Sequence, residues 1–64
     1  MLKDLYSARA KLRKVLSKMK KDWEKSDSPY KIACMHDVDI SIVMISDVIA
    51  YLEKMNFLKG MYHA

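Results

Sequence analysis

The stretch Ile40–Leu58, ISIVMISDVIAYLEKMNFL, is the most apolar part of an otherwise lysine-rich chain, and it decides what the rest must do. Wound as a helix at about 100° per residue, it places Ile42, Met44, Ile45, Val48, Ile49, Tyr51, Leu52 and Met55 in an arc of about 180°. Ser46, Asp47, Ala50, Glu53 and Lys54 fill the other half, with Val43 and Phe57 as apolar intruders. A helix packed on one neighbour needs an apolar stripe of about 100°. Half a cylinder therefore calls for two neighbours within the chain, or for another chain. A strand competes only over Asp37–Ile42, where apolar and polar residues alternate; the run Ile42-Val43-Met44-Ile45 ends that alternation.

A chain of 64 residues makes one domain with a small core. Chains of this size bury only about 60% of their unfolded surface and commonly lean on disulfides, a metal or oligomerisation. Cys34 is the only cysteine, which excludes an internal disulfide and fits a reducing, cytoplasmic location. The N-terminal residues lack the basic-then-apolar pattern of a secretory signal. Ile40–Leu52 is the longest stretch with few charges, and it falls short of the roughly 20 apolar residues of a membrane span. One Gly and one Pro leave almost no turn chemistry for a sheet. The expected fold is all-α: a small helical hairpin or a three-helix chain that completes its core as a dimeric helical bundle.

The first helix is expected over about residues 2–25. Leu2, Leu5, Leu12, Leu16, Met19 and Trp23 recur at spacings of three and four, Ala8 and Val15 widen the stripe, and only Arg9 interrupts it. On the opposite face Lys3, Lys11, Lys14, Lys18, Lys21 and Lys25 cluster within about 80° of arc. Residues 1–25 carry a net charge of +6 and residues 26–64 a net charge of −2, so the positive excess belongs to this helix. Such a stripe suits a polyanion, either a phosphodiester backbone or an anionic membrane surface. It equally suits a solvated face that keeps a small protein soluble. The face carries none of the Asn, Gln or aromatic groups that read bases, so any nucleic-acid binding is expected to ignore sequence.

Ser26-Asp27-Ser28-Pro29 is the clear break, with Ser28 as N-cap and Pro29 at the first helical position. Beyond it, His36-Asp37-Val38-Asp39-Ile40-Ser41 is a run of weak helix formers. That run favours a short helix from Pro29 to about Met35, a turn, and then the long apolar helix, over one unbroken helix. Asn56 is the expected C-terminal residue of the helical segment, followed by a tail over residues 59–64.

Chemical sites are sparse. Cys34, His36, Asp37 and Asp39 lie within six residues, but zinc sites want paired Cys or His at defined spacings and a second pair elsewhere. Capping and turn roles explain the cluster better, and Cys34 lacks the oriented base that a nucleophile needs. No paired carboxylates, Gly-rich phosphate loop or Ser-His-Asp set is visible. No catalytic role, cofactor or metal is expected.

The segments Ile40-Ser41, Ile45, Val48-Ile49, Leu52-Glu53-Lys54 and Asn56-Phe57-Leu58 resemble the recognition-helix half of winged-helix, helix-turn-helix regulators of the MarR-like kind. The resemblance implies a DNA-binding regulator. In that arrangement the groove would meet Ile42, Val43, Met44 and Asp47, three apolar side chains and one of the wrong sign for phosphate. Such a helix is better suited to protein.

Two functions follow as expectations. The first is a small regulatory or inhibitory binding module that forms a homodimer, or docks on a larger protein, through Ile42, Val43, Met44 and Phe57, with Val48 and Ile49 in the core. The second is a dimeric nucleic-acid-binding protein using Lys3, Lys11, Lys14, Lys18, Lys21 and Lys25.

Overall fold

Two antiparallel helices make up the computed structural model, which describes residues 1–63 and, for side chains, residues 1–60. Helix α1 spans Leu2–Trp23 and helix α2 spans Pro29–His63. Among the described residues there is no strand, and no helix is long and apolar enough to cross a membrane. The fold is an all-α helical hairpin.

The sequence explains why the two helices meet as they do. On α1, Leu2, Leu5, Arg9, Leu12, Leu16, Met19 and Trp23 alternate spacings of three and four, and every one is at least half-buried. On α2, Met35, Val38, Ile42, Ile45, Ile49 and Leu52 follow the same alternation and are likewise covered. This is the seven-residue repeat of a coiled-coil seam. Leu16, Ile42 and Ile49 lie deepest, with Ile49 only 1% exposed. Full burial of side chains of this size contributes about 1.5–3 kcal/mol each, so this short seam carries most of the hairpin's stability.

Five residues, Glu24–Ser28, reverse the chain. The Ser26 amide donates to the Trp23 carbonyl at 3.0 Å, and the Ser28 amide donates to the Ser26 hydroxyl at 3.2 Å. Ser28 caps α2 as expected: its hydroxyl accepts from the Lys31 amide at 3.4 Å and its carbonyl from the Ile32 amide at 3.1 Å. Across the turn the Lys31 ammonium lies 5.6 Å from the centre of the Trp23 ring, a cation–π contact between the end of one helix and the start of the next.

The expected turn after Met35 is absent, and α2 runs unbroken through His36–Ser41. The reason is packing. Val38 lies within the run of weak helix formers and Ile42 directly after it, and both face α1, while poor propensity costs only a few tenths of a kcal/mol per residue. Ser41 turns its hydroxyl back onto the Asp37 carbonyl at 2.8 Å, which satisfies it without a break. The helix also continues past Asn56 and through most of the expected tail; among the described residues none adopts a positive φ, so no left-handed cap forms at Asn56. Ala64 lies outside the described residues.

The two helices differ greatly in length. At 1.5 Å per residue α2 is about 52 Å long and α1 about 33 Å. Arg9 is level with Ser46, and Leu2 with Leu52 and Asn56, so α2 projects beyond the start of α1 from about Phe57 onward. The longest dimension of the molecule, 55 Å, is that of α2 alone.

Candidate interaction faces

Helix α2 is apolar on two sides, and α1 covers one. Measured around its axis, the seam residues centre on the direction of Ile42 and Ile49. Ile40, Met44, Val48, Tyr51 and Met55 form a second stripe, turned about 110–190° from that direction. All five are exposed. Where the width of the apolar arc called for two neighbours within the chain or for another chain, the hairpin supplies a single neighbour, and the remaining apolar half of α2 faces solvent.

Of the four residues expected at an interface, Ile42 is 8% exposed because α1 already covers it, so it belongs to the hairpin's own core. Val43, Met44 and Phe57 are 55%, 62% and 68% exposed. They do not share one surface. Met44 belongs to the second stripe, Val43 lies on the opposite flank of α2, and Phe57 lies on that flank where α2 projects beyond α1. Val48, expected in the core beside Ile49, is instead exposed on the second stripe.

The seam contains one polar step. Arg9 occupies a core-facing position of α1 and its Nη1 donates to the Ser46 hydroxyl at 3.4 Å. Its guanidinium also lies 5.6 Å from the centre of the Tyr6 ring. The Tyr6 phenol is held above its ordinary pKa by hydrogen bonding to the Glu53 carboxylate, then by partial desolvation and that carboxylate's charge, with Arg9 opposing. Tyr6, Arg9, Ser46 and Glu53 thus tie α1 to α2 along one flank of the seam.

Lys3, Lys11, Lys14, Lys18 and Lys21 are exposed on the side of α1 away from α2, and Lys25 is exposed in the turn just beyond the end of α1. On α1 this basic face is broken only by the exposed Ser7 between Lys3 and Lys11, and it has no apolar role in the hairpin.

Other chemistry is scattered. Cys34, His36, Asp37 and Asp39 sit on one continuous helix, where Cys34 and Asp37 share one face and His36 and Asp39 another, so the four side chains do not point to one place. Among the described residues no three His, Cys, Asp or Glu side chains converge. Cys34 is a half-buried free thiol. An open depression of about 430 Å³ at the start of α1 is lined by Met1, Leu2, Lys3, Leu52 and Asn56. The segment that resembles a recognition helix is the middle of α2, with Ile42, Ile45 and Ile49 turned into the hairpin.

No family model, no curated protein and no solved structure matches this chain.

Proposed function

We propose that this protein is a small, non-enzymatic binding module that self-associates, and regulates or inhibits by occupying a surface of a larger protein. The observation that carries the reading is the second apolar stripe of α2, Ile40, Met44, Val48, Tyr51 and Met55, which the hairpin leaves uncovered. Contiguous exposed apolar surface of this kind marks protein-binding surfaces. Met44 is the one residue of the expected interface set that lies on it. The open depression offers no acid–base pair and no enclosing walls, which favours binding over catalysis. A cytoplasmic location accords with a lone free cysteine.

A second reading, nucleic-acid binding by a dimer, is favoured by five exposed lysines on the outer face of α1, with Lys25 exposed in the turn beyond them. A DNA-binding role of the winged-helix kind would rest on this face, because the middle of α2 presents no basic side chain before Lys54.

Light scattering at low and high salt, with and without a short random duplex, separates the two. A multimer whose mass ignores DNA supports the first reading. A complex formed at low salt and released at high salt supports the second, and a monomer throughout refutes both.

A further inference from the structure

The chain's accessible surface is 5426 Å². A compact monomer of 7.5 kDa exposes about 4,200 Å² by the usual scaling of surface with mass. The excess of about 1,200 Å² is larger than the roughly 800 Å² that each partner contributes to a standard stable interface. The second stripe of α2 is the natural place to bury it. Val15 of α1 joins that stripe: it is exposed, and it lies about 75° from the seam in the same rotational sense. In an antiparallel hairpin, equal rotational sense places both on one side of the molecule. The uncovered surface is therefore a face of the hairpin, not an isolated ridge.

Charge decides what fits it. Asp37 lies in line with Met44, Val48 and Met55 towards one end of the stripe, and Lys54 and Lys59 flank the other end. A second α2 laid parallel would set Asp37 against Asp37 and Lys54 against Lys54. Laid antiparallel, with the two-fold axis near residue 46, Asp37 of one copy falls opposite Met55 of the other, between Lys54 and Lys59. Residue 46 is also the midpoint of Pro29–His63. The register that pairs the charges is thus the register that overlaps the two long helices completely. It also places the projecting end of each α2, from Phe57 onward, beside the start of the other α2, so that neither end is left without a neighbour.

We infer that the occupant of this face is a second copy of the chain, docked antiparallel through Ile40, Met44, Val48, Tyr51 and Met55 of α2, with Asp37 set between Lys54 and Lys59 of its mate. This inference rests on the self-association reading and specifies its face and direction. The product is a four-helix assembly with the two α2 helices at its centre and the basic faces of both α1 helices outward. Rim ion pairs add little affinity, but they select one direction over the other. Asp47 lies just past the edge of the stripe and close to its own symmetry mate, a like pair that weakens the dimer; Asp47→Asn tightens it.

The test combines solution mass with a cross-link. Sedimentation of the full chain gives twice the chain mass. Met44→Lys, which places a charge beside Val48 of the mate, abolishes the dimer, whether the released chains stay helical or unfold. Val43→Lys, on the opposite flank, leaves it intact. For direction, a Cys34→Ala background carries Asp37→Cys in one preparation and Met55→Cys in the other, and the two are mixed and oxidised. The antiparallel register brings residue 37 against residue 55 of the mate, so mixed disulfides exceed the half that random pairing gives. Like residues then stand about 27 Å apart, far beyond the reach of a disulfide. A monomeric wild-type chain overturns both this inference and the self-association reading. A dimer that survives Met44→Lys, or that forms no excess of mixed disulfide, overturns this inference and leaves self-association standing.

Discussion

Arg9 Nη1 donates to the Ser46 hydroxyl at 3.4 Å across a seam whose other steps are apolar. A single polar position in a coiled-coil seam fixes register at some cost in stability. Arg9 also keeps its guanidinium near the Tyr6 ring, so it leaves the seam centre sideways and fills the space poorly. Arg9→Leu continues the stripe from Leu5 to Leu12, and is expected to stabilise the hairpin by about 1 kcal/mol. Thermal unfolding followed by circular dichroism should show a rise of about 4–8 °C. A fall in melting temperature would mean that the Arg9–Ser46 bond and its register are worth more than the added burial.

Ile49 is the most deeply buried side chain, and Val43 is on the far flank. Ile49→Ala removes methyl groups from a site that α1 cannot collapse to fill, and should cost about 2–5 kcal/mol. A chain this small has a total stability of about 3–10 kcal/mol, so the variant loses much or all of its helical signal at 25 °C. Val43→Ala should stay within about 0.5 kcal/mol of the parent. Urea titrations of both variants check the contrast.

That contrast also marks how far the fold could be read from the residues. Helix α1 was legible because Leu2 to Trp23 keep one clean stripe opposite a charged face, and the structure ends it at Trp23, two residues before the expected Lys25. The turn was legible from Ser28-Pro29. The continuity of α2 was not, because local propensity over His36–Ser41 points one way and the packing of Val38 and Ile42 on α1 points the other. The seam face of α2 was not legible either. Ile42, Ile45 and Ile49 make one three–four series and Met44, Val48, Tyr51 and Met55 another, within the same half-cylinder. Only the heptad spacing of α1, with which the first series is matched, separates them. Ile42 is consequently buried where an interface was expected, and Val48 is exposed where burial was expected.

Lys31 lies over the Trp23 ring and closes the turn from outside. Trp23 is the only tryptophan, so its fluorescence reports the surroundings of this one ring, its seam packing included. Lys31→Ala should cost about 0.5–1 kcal/mol, the worth of a cation–π contact at an exposed site. Lys31→Arg should preserve it, since guanidinium engages an aromatic face at least as well. Emission spectra and melting curves of the two variants distinguish a ring contact from a mere loss of charge.

The raised pKa of Tyr6 predicts a pH dependence of definite sign. The folded state holds the phenol proton more tightly than the unfolded chain, where tyrosine titrates near 10. This contribution to stability is complete below that unfolded value and is lost as pH rises through the higher folded value. Tyr6→Phe has no proton to lose, so its stability relative to the parent should improve from neutral pH to above pH 10. Parallel denaturant titrations at the two pH values check this, and lysine deprotonation cancels in the comparison. A relative stability that falls or stays level would detach Tyr6 from Glu53.

The basic face makes the last prediction. Lys14, Lys18 and Lys21 are exposed on the side of α1 that touches neither the seam nor the second stripe of α2. Changing all three to Glu takes the net charge from +4 to −2 without disturbing an apolar contact. Helical content and solution mass should therefore be retained. If the lysines bind a phosphodiester backbone, affinity for a random duplex should fall with salt at a slope of about −0.9 per phosphate neutralised, and the triple variant should lose it altogether. If they only solubilise the protein, neither chain binds the duplex at moderate salt. The variant, whose net charge is smaller in magnitude, then becomes more prone to precipitate near neutral pH. Filter binding and turbidity, measured on the same preparations, give each role of the lysine face a distinct signature: binding is lost with salt, and solubility with net charge.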